Sequence, residues 1–254
     1  MSDSRSPGSD PSGLGDAERH KLESLAAMAM GIAHELNNHL SAIEGNNKLL
    51  LRLMEDGSEF IPYLERIKDA ADQALDLTGE LGVYAGRLEP DRKPVSIGAM
   101  LNDLHAQWKD SSNRVTIDVA DDCPDIRVDE NLLRGAVSRL MANADEATLE
   151  MEGSITVSVR TGSLTEEDSA TAYGEDPPGE GTYLTISVSD SGSGISTAVK
   201  RRMFDPFFST KIRGQGMGLP FVIGVARAHN GAVSFNTGSN GTTVRLHLPI
   251  STSD

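Results

Sequence analysis

Two consecutive stretches of three-and-four spacing restrict this chain more than any other feature. From about Glu18 to Met54 the apolar residues Leu22, Leu25, Ala29, Ile32, Leu36, Ile43 and Leu50 fall on alternating steps of three and four, with gaps at His39 and Asn46. That is a heptad seam along one long helix. Glu55-Asp56-Gly57-Ser58 interrupts it; Gly57 suits a helix stop and Ser58 an N-cap. Leu64, Ile67, Ala71, Ala74, Thr78 and Leu81 then repeat the spacing in a second helix, expected to run to about Leu88, ahead of Pro90 and Pro94. Two such helices joined by a short turn form an antiparallel hairpin. A lone hairpin leaves an apolar seam open on each helix. The expectation is therefore an all-α hairpin that closes its seams as a four-helix bundle in a homodimer.

The hairpin is one part of a longer plan. Residues 1–17 are mostly Ser, Gly, Pro and Asp, with little to bury, and read as a disordered tail. The hairpin spans 18–88, and 89–94 (EPDRKP) reads as a linker. Beyond it the pattern changes. β-rich runs lie at Val115–Val119, Ile155–Arg160, Tyr183–Val188, Ala232–Asn236 and Thr243–Leu248, with helical stretches near 98–110, 130–149 and 218–229. This predicts a second domain over 95–250: an α+β sandwich, one antiparallel-rich sheet with helices on one face. Residues 163–180 carry six acids, no bases and two prolines, and are expected to be a mobile loop between paired strands.

Charge and cysteine content narrow the function classes. With 38 acidic against 23 basic residues the formal charge is −15, a poor match to nucleic acid or an anionic membrane. The single cysteine, Cys123, can form neither an internal disulfide nor a cysteine-rich zinc site. No apolar run approaches the ~20 residues that span a bilayer, and the N-terminus lacks a signal-peptide layout. A cytoplasmic protein is expected.

Four segments carry chemistry. On the first helix, Gly31-Ile32-Ala33-His34-Glu35-Leu36-Asn37-Asn38 places His34 opposite a seam set by Ile32 and Leu36, with Asn38 one turn on and Glu35 adjacent. A neutral imidazole is a competent nucleophile near pH 7, and a neighbouring carboxylate can take its proton or fix its tautomer. A zinc HExxH site is excluded, because position 38 is Asn and His39 lies roughly 140° further round the helix. On the second domain's long helix, Asn143 offers a neutral oxygen of the kind Mg²⁺ accepts. Asp190-Ser191-Gly192-Ser193-Gly194 follows a strand; an acid there can accept from an exocyclic amine, and the glycines let backbone approach a ring or phosphate. Last, Phe204-Asp205-Pro206-Phe207-Phe208-Ser209-Thr210-Lys211 precedes Gly214-Gln215-Gly216-Met217-Gly218-Leu219, which opens a helix. Helix-start glycines present N–H groups to phosphate, and Lys211 and Arg213 add positive charge. The segment is neither a P-loop nor a Rossmann fingerprint. The phenylalanines are expected to anchor one end of a lid over a nucleotide.

In this order the four segments resemble the transmitter module of two-component sensor histidine kinases, over about residues 20–250. His34–Asn38 is similar to the H box, Asn143–Ala147 to the N box, Asp190–Gly194 to the G1 box, Phe204–Lys211 to the F box and Gly214–Leu219 to the G2 box. The resemblance implies a dimerisation and phosphotransfer hairpin followed by a Bergerat-type ATPase domain using ATP and Mg²⁺. His34 would be the phosphoacceptor, Glu35 its base and Asn38 the residue that positions water in a phosphatase step. Asn143 would hold Mg²⁺. Asp190 would read the adenine amine, with Glu146, Gly192, Gly194, Lys211, Gly214, Gly216, Gly218, Leu219 and Thr242 completing the ATP site. The partner implied is the receiver domain of a response regulator. Because the sequence shows no sensing, transmembrane or receiver segment around the core, a separate sensory protein is a further expected partner.

Three positions depart from the family pattern. Arg139 stands where the N box usually has a second Asn, His39 where the H box usually has Pro, and Glu146 replaces a common Asp. Arg139, His39 and the missing sensor motivate an alternative reading, a catalytically weak adaptor or phosphatase-biased regulator of the same fold. A serine kinase or gyrase-type machine of the same ATPase superfamily would lack the hairpin with its exposed His-Glu pair.

Overall fold

The computed structural model describes residues 16–55, 57–86, 89–108, 114–149, 153–173, 181–211 and 214–250, with side chains described from residue 31 onward. Most of the expected tail, and the side chains of the first seam residues Leu22, Leu25 and Ala29, lie outside that description. Helix α1 (Asp16–Leu53) and helix α2 (Ile61–Tyr84) pack side by side. Asn47 Nδ2 donates to the Leu64 carbonyl at 2.8 Å, and the Thr78 hydroxyl donates to Asn37 Oδ1. As one number rises the other falls, so the pair is antiparallel.

The turn differs from expectation in detail. Helix α1 already ends at Leu53, and Gly57, at φ +86°, lies in the turn beyond it. The N-cap position of α2 is Phe60, not Ser58, because Pro62 sits in the first turn, where its fixed φ and missing N–H are tolerated. Helix α2 stops at Tyr84 rather than Leu88, and Gly86 just beyond it has φ +72°.

The seam needs a larger correction. The covered positions of α1 from residue 31 on are Ala33, Asn37, Leu40, Glu44, Asn47 and Leu51, a heptad set of mixed polarity. The expected seam residues Ile32, Leu36, Ile43 and Leu50 are 44–52% exposed. They sit one residue, about 100°, round the helix from the covered set. One 3.5-residue period thus serves two neighbouring faces, and this chain by itself covers only the more polar one. Phe60 at the N-cap of α2, and Tyr63 and Ile67 on it, are exposed as well.

The second domain is a five-stranded mixed sheet of order β2-β4-β5-β7-β6, from β2 (Val115–Val119), β4 (Ile155–Gly162), β5 (Tyr183–Asp190), β6 (Ala232–Gly238) and β7 (Gly241–Pro249). Only the β2–β4 pairing is parallel. Helices α3 (Ile97–Gln107), α4 (Glu130–Thr148) and α7 (Gly218–Ala228) cover one face and bury Leu101, Leu133, Val137, Met141, Val222 and Val225 against it, while the single turn α6 (Thr197–Lys200) follows β5. Asp129 caps α4 by accepting from Asn131 N and Leu132 N.

The two-stranded ribbon β1 (Lys93–Val95) with β3 (Ile126–Val128) was not expected. Three-residue strands carry too little alternation to read. This ribbon corrects the 89–94 linker, whose end is built into the second domain. Asp91 N donates to Asp129 Oδ2 at 3.0 Å, and Arg92 Nη2 donates to the Ala228 carbonyl at 2.6 Å.

The acidic 163–180 stretch is also corrected, as far as it is described. It contains helix α5 (Glu166–Thr171), held by a capping box between Thr165 and Asp168. Tyr173 exchanges two backbone hydrogen bonds with Val233 along the outer edge of β6, which covers that sheet edge. Beneath α5, buried Ser234 donates to Asp168 Oδ1 and bonds His247 Nε2, both at 2.8 Å, while Thr185 Oγ1 lies 2.9 Å from His247 Nδ1. Since Ser234 gives its proton to the carboxylate, its oxygen accepts from Nε2–H, and Nδ1 accepts from Thr185. The imidazole is neutral in this arrangement.

Burial lowers the His247 pKa from 6.5 to about 4. Although burial works against it, hydrogen bonds from Thr165 and Ser234 and the nearby imidazole hold the Asp168 carboxyl below its ordinary value. In both cases the unfolded chain binds protons more readily than the folded one. The His247 contribution is thus complete above pH 6.5 and is lost as pH falls toward 4, with Asp168 adding to the loss at the acid end. Urea unfolding at pH 7 and pH 4 is expected to differ by on the order of 3 kcal/mol from His247. In His247→Asn that difference should shrink; an unchanged slope would remove His247 as its cause.

Candidate functional site

A cavity of about 580 Å³ opens between α4, the end of β5, the start of α7 and the segment before it. Ten of the eleven predicted nucleotide residues line it: Asn143, Glu146, Asp190, Gly194, Lys211, Gly214, Gly216, Gly218, Leu219 and Thr242. Gly192 does not. It is buried, and its N–H donates to Asp190 Oδ1 at 2.9 Å, so it orients the carboxylate instead.

One end of the cavity is apolar with a single acid. Val188, Leu140, Ile195, Met203 and Val244 form walls suited to a flat ring. Asp190 ends β5 and is in register with Thr242 of β7. Its Oδ1 accepts from both Gly192 N and Thr242 N, the latter at 3.2 Å, which leaves Oδ2 for a ligand's donor. The following turn is braced from β6 and β7: Ile195 N donates to Thr237 Oγ1 at 2.8 Å, and Thr237 Oγ1 bonds Thr242 Oγ1 at 3.0 Å. Gly194 has φ +76°, and a Cβ there would strike the Gly238 carbonyl. Only glycine suits that position.

The other end is polar. Lys211 Nζ pairs with Glu146 and lies 3.4 Å from Asn143 Oδ1; burial lowers its pKa. Helix α7 begins at Gly218 with no side-chain cap, so its first N–H groups are available to anionic oxygens. Gly216, at φ +68°, accepts from Phe207 N at 3.1 Å and ties the two ends of the expected lid together. The phenylalanines divide their roles. Phe204 is buried in the core and Phe208 lines the cavity beneath Arg202, whereas Phe207 is 57% exposed and holds the segment through its backbone N–H. Arg213 lies outside the described residues.

No cluster of three His, Cys, Asp or Glu side chains among the described residues could hold a metal by itself. The Asn143 oxygen, with Glu146 on the next turn, is the kind of sparse oxygen set that suits Mg²⁺, a cation that keeps water and phosphate ligands.

His34, Glu35 and Asn38 are all exposed on α1, and none lines the cavity. Their neighbour Ala33 is fully buried with Leu81, Tyr84 and Met217, so the α1–α2 pair rests on the residue before α7. The structure therefore brings the nucleotide residues together, and His34 is not among the residues that line their cavity. Glu80 of α2 and Arg139 of α4 also line the cavity and pair with each other. Glu80 gave no sign in the sequence, being one acid among many on a helix face. Arg139 showed only as a departure from the N box.

Residues 128–252 match the family described as histidine kinase-, DNA gyrase B- and HSP90-like ATPase. The chain is 30% identical over 239 residues to "Sensor kinase CckA" of Brucella abortus (strain 2308), covering 92% of this chain and 25% of that one. Among solved structures it is similar to full-length ShkA in complex with AMPPNP, with a TM-score of 0.64, 22% identity and coverage of 89% of this chain and 46% of that one. It is also similar to histidine kinase ThkA in complex with response regulator protein TrrA, with a TM-score of 0.53, 18% identity and coverage of 92% and 64%. At these identities the structural likeness speaks for the fold. The chain spans a quarter of the length of the curated relative.

Proposed function

Since the chain belongs to the sensor histidine kinases, a transmitter core built on a histidine kinase-, gyrase B- and HSP90-like ATPase domain, we propose that it transfers the γ-phosphoryl group of ATP to His34 and from there to an aspartate of a separate response regulator. The observation that carries this reading is the Asp190 cavity. One end offers a flat apolar slot with one spare carboxylate oxygen; the other offers an uncapped helix start, Lys211 and the Asn143 oxygen.

Adenine occupies the slot with its amine donating to Asp190 Oδ2. The phosphates lie toward Gly214, Gly216 and Gly218, whose backbone N–H groups and the α7 dipole offset their charge. Asn143, with Glu146 nearby, would hold Mg²⁺, which draws charge from the phosphate oxygens. A His34 ring nitrogen attacks the γ-phosphorus, the new N–P bond forms as the bond to the ADP oxygen breaks, and Glu35 accepts the proton from the other ring nitrogen. Asn38 orients water when the phosphorylated regulator is hydrolysed.

His34 is outside the cavity, so the ATPase domain must move against α1. With 91–95 fastened to that domain, the pivot is best placed just after α2, around Gly86. The open stripe of Ile32, Leu36, Ile43 and Leu50 favours a homodimer through the hairpins. No helix among the described residues is long and apolar enough to cross a membrane, and we place this core in the cytoplasm, where ATP and receiver domains are found.

Incubation with γ-labelled ATP tests the kinase step. Label stable in alkali and lost in acid is expected. Nucleotide binding without any label would overturn it and favour a regulator-binding, phosphatase-biased adaptor.

A further inference from the structure

The two described cations lining the cavity are both ion-paired, and the pairs differ in kind. Lys211 pairs with Glu146 of its own domain. Arg139 pairs with Glu80 of the hairpin. Arg139 lies one turn before Asn143 on α4, on the cavity side. Its guanidinium is held on three sides: Nη2 meets Glu80, Nη1 donates to the Gly135 carbonyl at 3.0 Å, and the plane stacks 4.0 Å from the centre of the Phe221 ring. Gly135 clears the slot, since a Cβ there would sit 3.2 Å from Nη1 and 3.3 Å from the Phe221 ring.

The same contact is the polar edge of the surface between the domains. Helix α2 reaches α7 so closely that a Cβ on Gly224 would lie 2.5 Å from the Val83 carbonyl. Tyr84 is buried there with a hydroxyl that has no hydrogen-bond partner among the described residues, and Arg227 Nε nearby is also unpartnered. Buried groups left unsatisfied oppose docking. The apolar contact is therefore partly cancelled, and the Glu80–Arg139 pair counts for more in holding the domains together.

We infer that Arg139 is shared between Glu80 and the nucleotide's phosphates, so that nucleotide binding and interdomain docking compete for one guanidinium. This rests on the nucleotide reading of the cavity. A phosphate at the polar end is a stronger bidentate partner for arginine than one carboxylate, and it draws Arg139 off α2. The coupling is reciprocal: a domain freed from Glu80 binds phosphate more tightly, and a nucleotide-bound domain docks less. Arg139 thus binds substrate and, in doing so, releases the ATPase domain for its approach to His34.

The test is calorimetric titration of ATP and adenosine into the full chain as wild type, Glu80→Gln, Arg139→Gln, the double variant and the charge swap Glu80→Arg with Arg139→Glu. Glu80→Gln should tighten ATP about fivefold or more and leave adenosine unchanged. In the Arg139→Gln background the Glu80 change should have no effect. The charge swap rebuilds the ion pair but sets a carboxylate in place of the guanidinium one turn before Asn143, so ATP should bind more weakly than in wild type while the melting temperature recovers from that of Arg139→Gln. A second readout is the spin-label distance between exposed Gln73 of α2 and exposed Asn240, in a Cys123→Ser background. Saturating ATP should shift it in wild type, and Glu80→Gln should shift it without nucleotide. If wild type binds ATP but Glu80→Gln leaves its affinity within twofold and the distance unmoved, the inference falls. If wild type binds no ATP, the nucleotide reading falls first.

Discussion

His34→Gln is expected to abolish phosphorylation of the chain by ATP while leaving ATP affinity within about twofold of wild type. The loss is complete because glutamine has no basic nitrogen to form an N–P bond, and neighbouring Glu35 and Asn38 cannot replace one. The preserved affinity follows from position: His34 is exposed on α1 and contributes nothing to the cavity lining. Stability should change little, because exposed substitutions are usually within ±0.5 kcal/mol. Label incorporation, ATP titration and a thermal melt on the same preparation separate these effects. Persistent label would move the acceptor elsewhere. Lost affinity would mean that α1 belongs to the nucleotide site.

Asp190→Asn is expected to weaken ATP by about 100-fold and to narrow its advantage over GTP. A hydrogen bond to a charged group contributes roughly 1.5–3 kcal/mol, and an unsatisfied buried donor costs a further 1–3 kcal/mol. Asparagine keeps an oxygen for Gly192 N and Thr242 N, so the turn after β5 survives. What changes is the second atom, from an acceptor to an NH₂ donor. Facing the adenine amine, that donor is repelled; facing the exocyclic carbonyl oxygen of guanine, it is satisfied. Competition titration with both nucleotides reads the ratio directly. Equal losses for ATP and GTP would show that Asp190 supports the loop without reading the base.

How much of this could be read from the sequence varied with the length of the pattern. The five strands of the main sheet and helices α3, α4 and α7 each carry enough alternation or three-and-four spacing to be located within a few residues. The β1–β3 ribbon is too short for that, and its hydrogen bonds to Asp129 and Ala228 come from residues distant in sequence. Helix α5 was hidden because acid-rich, proline-flanked composition resembles a loop. What holds it is buried Ser234 and His247 on strands more than sixty residues away, which local reading cannot pair.

The hairpin shows a subtler limit. Its 3.5-residue period was legible, but a period repeats on adjacent faces, and only packing decides which one the chain itself covers. Ala33, Asn37 and Asn47 occupy that face, while Ile32, Leu36 and Ile43 remain outward. In the site, glycines, Asp190 and Asn143 announced themselves because their chemistry is unusual for their setting. Glu80 did not, since its meaning comes from meeting Arg139 across two domains.

The most direct measurement is fragmentation mass spectrometry of wild-type protein after reaction with Mg·ATP, run at neutral to alkaline pH so that an N–P bond survives. One phosphoryl group on the imidazole of His34 is the predicted result. Phosphate on a serine, threonine or carboxylate, or on another histidine such as His39, would contradict the assignment on which the account depends.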